Sequence, residues 1–148
     1  MAVTAVPNGY RTVTPYLVVV GASALLDFVR DAFDARERMR MPGPGGSIGH
    51  AEVEIGDSVV MVADADGEWP AMPGTIHLYL EDCDAVYRRA MDAGATSIRA
   101  PRTEFYGDRM AGVRDPLGNH WWIATHVEDV PEEEMARRAA ELAEQAGS

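Results

Sequence analysis

His50, Glu52 and Glu54 alternate with Ala51, Val53 and Ile55. In an extended strand alternate residues share a face, so an imidazole and two carboxylates project together, away from the apolar trio. Two positioned groups of suitable pKa are enough for general acid–base work. A histidine–carboxylate set is also raw material for a divalent metal site, and the other reading is a wetted sheet face carrying hydrogen-bonding groups. A second alternation opposes His77 and Tyr79 to Ile76, Leu78 and Leu80. Val59, Met61, His120 and Trp122 likewise alternate with Val60, Val62, Trp121 and Ile123, so within each strand the two sets lie on opposite faces. Rings such as Trp122 and Tyr79 stack on planar or cationic ligands. In the run from Arg102 to Arg109, Gly107 permits a bend and Glu104, Tyr106 and Arg109 are placed to close over a pocket mouth. The alternative is that Arg109 and Asp108 pair and simply hold that loop. Trp69, beside Pro70, either caps the same mouth or packs.

The elements that must position these groups occur twice. Residues 12–64 read as strand, helix and three strands, and residues 74–126 repeat that order. The first helix ends in Phe33-Asp34-Ala35 and the second in Ala93-Gly94-Ala95. The closing hairpins turn at Ile55-Gly56-Asp57-Ser58 and at Asp115-Pro116-Leu117-Gly118-Asn119. The second of these is turn chemistry, with Asp first, Pro next and Gly where φ is positive. Residues 100–108 read as irregular strand and loop. Asp82 or Asp84 is the expected cap of the second helix, residues 65–73 link the copies, and residues 131–146 form an appended helix with Pro131 in its first turn. One domain spanning residues 1–148 is expected, because one βαβββ unit cannot close a core and two together can share one.

Composition removes several function classes. The chain is 47% hydrophobic and 25% charged over 148 residues, enough to bury a core without staples. A net charge of −11, with all 13 basic residues arginine, argues against nucleic acid, whose binding rests on neutralising phosphates. No stretch approaches the roughly 18 apolar residues of a membrane span, and residues 1–11 lack the pattern of a secretory signal. A cytoplasmic protein with no membrane partner is expected. Cys83 stands alone, which precludes an internal disulfide, and it reads as a buried structural cysteine. There is no serine nucleophile elbow, no phosphate-cradling glycine loop and no Cys–His zinc spacing.

Phe105-Tyr106-Gly107-Asp108-Arg109, followed by the run from Asp115 to His126, resembles the vicinal oxygen chelate superfamily, and more narrowly the PhnB-like branch of glyoxalase/bleomycin-resistance proteins. Pro15-Tyr16-Leu17 and the run from Gly49 to Asp57 fit the same branch, and the resemblance covers about residues 12–130. It implies an α+β fold of two tandem βαβββ modules forming a cupped mixed sheet, often completed within a homodimer. Metal-using members place one ligand on the first and one on the last strand of each module. Here the first strand of module two supplies His77 and the last supplies Trp122. Shifting the repeat by 61 residues puts Met61 opposite Trp122, and the first strand of module one offers Pro15, Tyr16 or Leu17. No metal and no other cofactor is therefore expected, a displaced set of His50, Glu52, Glu54 and His77 being the alternative. The expected function is binding of a small cationic or aromatic, antibiotic-like molecule by His50, Glu52, Glu54, Met61, His77, Tyr79, Glu104, Tyr106, Arg109 and Trp122. The other class is a lyase, isomerase or dioxygenase using acid–base groups or a displaced metal.

Overall fold

Two helix starts show how the sequence builds the same unit twice. In the computed structural model, which describes residues 2–147, β1 (Tyr16–Val19) leads into α1 (Ala22–Phe33) through Gly21, which offers no capping side chain. The cap comes from elsewhere. Asp64, at the end of the module's last strand, accepts hydrogen bonds from the Gly21 and Ala22 amides on Oδ1 (3.1 and 2.8 Å) and from the Ile48 amide on Oδ2 (2.8 Å). Burial alone would raise its pKa, but these amides outweigh that and hold the carboxyl below its ordinary value. In module two β5 (Thr75–Tyr79) leads into α2 (Cys83–Asp92). Thr125, 61 positions after Asp64, accepts from the Cys83 amide and donates to the Leu80 carbonyl. Asp82 adds its own cap on the Ala85 amide. Asp34 (φ 57°) and Gly94 (φ 109°) end the two helices in the left-handed region.

Each helix is followed by three antiparallel strands: β2 (Arg36–Pro42), β3 (Ile48–Ile55) and β4 (Ser58–Asp64), then β6 (Thr96–Thr103), β7 (Asp108–Arg114) and β8 (His120–His126). The sheet orders are β1-β4-β3-β2 and β5-β8-β7-β6, with β1 parallel to β4 and β5 parallel to β8. Residues 100–108, expected as irregular strand and loop, finish a strand that pairs β7 through two register shifts and then turn tightly at residues 104–107. The Ser97–Arg102 shifts break the period-two pattern, which is what makes the strand irregular. α3 (Glu132–Ala146) follows β8. It is tied down by Arg138, which binds the Glu128 carboxylate and the Phe105 carbonyl.

Both sheets bury one face in a single core. Leu17, Val19, Val60, Val62, Trp121 and Ile123 lie on that face and are at most 3% exposed, with α1 and α2 packed over them and touching each other. Phe33 of α1 meets Trp121 of β8 with ring centroids 4.9 Å apart, so the core runs between the modules. Such a pair contributes about 1 kcal/mol beyond its buried area. Asp115 holds Trp121 there. Its buried carboxylate accepts from Trp121 Nε1 (2.8 Å), Asn119 Nδ2 (2.9 Å) and the amides of Leu117 and Asn119 (2.8 and 3.0 Å). Asn119 in turn accepts from the Gly74 amide, fixing where the linker enters β5. Asp115→Ala orphans several buried donors at once, so we expect a loss of about 3 kcal/mol or more in urea unfolding together with loss of the near-ultraviolet tryptophan signal. Asp115→Asn should lose less.

Candidate functional site

The opposite sheet faces carry the candidate chemistry, and strand register decides what stands beside what. On module one, Tyr16 of β1 pairs with Met61 of β4, and Met61 pairs with Glu52 of β3. On module two, His77 of β5 pairs with Trp122 of β8, and Trp122 pairs with Gly112 of β7. Tyr16 and His77 are 61 residues apart, as are Met61 and Trp122. The first strand of module one, left open between Pro15, Tyr16 and Leu17, is thus settled: Tyr16 is the counterpart of His77.

Module one gathers His50, Glu52, Glu54 and Met61. Glu52 was expected on a wetted face and is instead buried, 5% exposed. The covering residue comes from outside the repeat. Tyr10 donates its hydroxyl to Glu52 Oε1, while His50 Nε2 lies 2.8 Å from Oε2 and His50 Nδ1 lies 2.9 Å from the Tyr16 hydroxyl. Arg38 stacks over the Tyr10 ring at 4.9 Å. Glu54 turns away to Arg36 (2.8 Å) and Arg38 (3.6 Å). Burial alone would raise the Glu52 carboxyl, but hydrogen bonds from Tyr10 and His50, with the charge of Arg38, hold it below the ordinary value. The same hydrogen bond raises Tyr10, and burial raises Tyr16. Beside this array Tyr16, Val18, Gly49, Ala63, Asp66 and Trp69 line a cavity of about 490 Å3. Trp69, 65% exposed, packs little and is held by amide bonds of residues 68 and 69 to Asp66.

Module two gathers His77, Tyr79, Tyr106, Glu104 and Trp122. Trp122 lies flat across its strand neighbour. A Cβ on Gly112 would come within 2.5 Å of the indole, so only glycine permits this ring position. Arg99 sits 5.4 Å above the indole and is paired with Glu104 at 2.9 Å. Tyr106 donates to Met110 Sδ, and the His77 and Tyr79 rings are 5.0 Å apart. Tyr79 donates to the buried Asp108, which also bonds His126, and His126 reaches Asp129 through its other nitrogen. Arg109 is placed elsewhere. It lies toward α2 in a two-pronged bond to Asp84 and does not pair with Asp108. The parity that put Asp108 outward sends its neighbour inward. Cys83 is buried and its thiol is raised chiefly by that burial, as fits a structural role. None of these polar contacts joins module one to module two. Between the modules a groove of about 540 Å3 runs from Val13 and Pro15 to Ile76–Tyr79 of β5 and the following Leu80.

The sequence matches the glyoxalase/bleomycin resistance protein/dioxygenase superfamily over residues 12–123. The chain belongs to that superfamily. Its relatives include the Mycobacterium tuberculosis (H37Rv) protein Rv0887c, 37% identical over 86% of this chain and 82% of the relative. Mycobacterium bovis Mb0911c is also 37% identical, over 91% of its own length. Among solved structures, TioX from Micromonospora sp. ML1 superposes with a TM-score of 0.67 at 23% identity, covering 79% of this chain and 99% of TioX. A superfamily protein from Nocardioides gives 0.59 at 18% identity, covering 85% and 87%. At these identities the two structures establish the fold alone.

Within this superfamily member the residues do not fit a divalent metal at the family positions. Tyr16, Met61, His77 and Trp122 supply one ordinary ligand among four. The displaced set fares no better. Glu52 and His50 are bonded to each other and to two tyrosines, Glu54 faces arginines, and His77 lies on the other sheet. Among the described residues no group of three or more His, Cys, Asp or Glu side chains could hold a metal ion.

Tyr10, Arg38, Arg99 and Gly112 escaped the sequence reading. Tyr10 lies outside the repeat, and Arg38 is swung round by a bulge between Glu37 and Met39. For Gly112 a signal existed, a glycine inside a strand.

Three outcomes follow. Gly112→Ala should displace the indole, shifting tryptophan emission and costing about 1–3 kcal/mol in denaturant melts. Glu52, held below its ordinary pKa, contributes stability that is complete above the unfolded value near 4.5 and is lost as pH falls through the folded value. His126 is raised by Asp108 and Asp129, so its contribution is complete below about 6.5 and is lost as pH rises through the folded value. Thermal melts across pH should show Glu52→Gln flattening the acid limb and His126→Gln flattening the neutral-to-alkaline one.

Proposed function

We propose that this superfamily member, of the PhnB-like branch, is a metal-independent small-molecule binding protein that sequesters a cationic or aromatic, antibiotic-like compound in the cytoplasm. The observation that carries this reading is the register setting Tyr16 beside Met61 and His77 beside Trp122. At the four positions where metal-using relatives coordinate, this chain offers two aromatic rings, a thioether and a single imidazole. Those groups bind by stacking and dispersion rather than by coordination. The net charge of −11 favours approach of a cation. We read the working form as a homodimer, supported by Tyr16, Met39, Met41 and Tyr79, apolar side chains that a monomer leaves on its open sheet faces.

One observation favours a second reading. The Tyr16–His50–Glu52–Tyr10 array is a hydrogen-bonded chain of titratable groups beside a cavity, the arrangement that a lyase or isomerase of this superfamily needs for proton transfer without metal.

Elemental analysis and tryptophan fluorescence separate the readings. Purified protein should carry no stoichiometric zinc, nickel, manganese or iron. A bleomycin-type ligand should quench its emission, and Trp122→Ala should abolish that quenching. Stoichiometric metal, lost together with a turnover activity in His77→Ala, would overturn the sequestration reading. Absence of quenching across a panel of cationic drugs counts against it as well.

A further inference from the structure

Glu52 is buried by a residue that does not belong to its sheet. Of residues 2–13 only Tyr10 is not exposed, and the segment's other named contacts are short-range or on the surface. The slot that Tyr10 enters is built by the sheet itself. Glu52 sits on β3. Arg38 sits at the bulge in the paired strand β2, where the extra residue turns its guanidinium onto the Glu52 face, and Glu54 holds it at 3.6 Å. His50 fixes the second carboxylate oxygen at 2.8 Å. What remains is one carboxylate oxygen and one flat cationic surface. Tyr10 meets both, with its hydroxyl on Glu52 Oε1 and its ring under Arg38 at 4.9 Å.

We propose that the Glu52–Arg38 slot is a binding subsite for a hydroxyaryl group and that Tyr10 is its built-in, displaceable occupant. A buried carboxylate accepts hydrogen bonds only, so it selects a ligand with a donor hydrogen, and the hydroxyl of Tyr10 shows that an O–H fits. A guanidinium plane selects a flat π face. A phenol presents both in one rigid unit. The sheet supplies both recognition groups, and the segment before β1 supplies only the ring that fills them. A tethered group acts at an effective concentration on the order of millimolar. A free phenol therefore competes with Tyr10, and its apparent affinity falls by the fraction of molecules in which the slot is open. This subsite rests on the reading of the protein as a small-molecule binder and names one chemical group that its ligand carries.

The probe is para-cresol, titrated by calorimetry into the wild type and into Tyr10→Ala. The variant should bind about tenfold more tightly or better, because the competitor is gone. Adding Glu52→Gln to Tyr10→Ala should remove the gain, and the methyl ether of para-cresol, which has no O–H, should not bind. A second readout uses the wild type alone. Para-cresol should speed tryptic cleavage after Arg11 several-fold by releasing the segment, and the methyl ether should not. Equal affinity in wild type and Tyr10→Ala, equal binding of the ether, or cleavage insensitive to para-cresol overturns the proposal. If drug quenching at Trp122 fails while para-cresol binds, the general reading falls and the subsite stands. If quenching holds and para-cresol fails, only the subsite falls.

Discussion

The Asp115 carboxylate is the interaction on which most of the architecture hangs. It converts a five-residue connection into a rigid turn by accepting two backbone amides, the Asn119 side chain and the Trp121 indole. Once Trp121 is pinned inward, period-two geometry leaves no choice for its neighbour, and Trp122 must stand on the opposite face. The inward ring meets Phe33 of the other module, and the Asn119 carbonyl captures Gly74 at the start of β5. One buried anion thus couples turn, core, module junction and candidate site. A buried carboxylate is costly unless fully bonded, and here the named bonds occupy both of its oxygens.

The two modules solve the same problems with different chemistry. Asp64 and Thr125 occupy equivalent positions at the ends of the last strands and both cap the helix of their own module. On the open faces the equivalence is broken. Beside Met61 stands Glu52, and beside Trp122 stands Gly112. A carboxylate next to a thin, flexible thioether leaves room for Tyr10 to enter. A glycine leaves room for the indole to lie down, which fills the corresponding space and puts it under Arg99. One face is polar and hydrogen-bonded and the other aromatic, although both sheets have the same strand order.

That division bears on chemistry. A face whose carboxylate and imidazole are bonded to each other and to tyrosines has its donors and acceptors engaged, so a ligand there must exchange partners rather than fill vacancies. The face carrying Trp122 presents a ring instead, and stacking demands little reorganisation.

Much of this was legible in the residues alone. Alternation along His50–Ile55 and Ile76–Leu80 separated core from open face. The repeat predicted two βαβββ units, and the 61-residue shift found Met61 and Trp122 as counterparts. These features are local, fixed by backbone period and turn chemistry, and belong to any strand or helix that these residues form. Four matters needed the tertiary structure. Register chose Tyr16 as the partner of Met61, because the gap between strand and turn has no length signal. A bulge turned Arg38 onto the Glu52 face, and Arg109 went to Asp84 because a residue adjacent to an outward Asp108 must point inward. Tyr10 reached Glu52 across 42 residues. A contact of that span depends on where an irregular segment lies in space, and no periodicity in the chain encodes it.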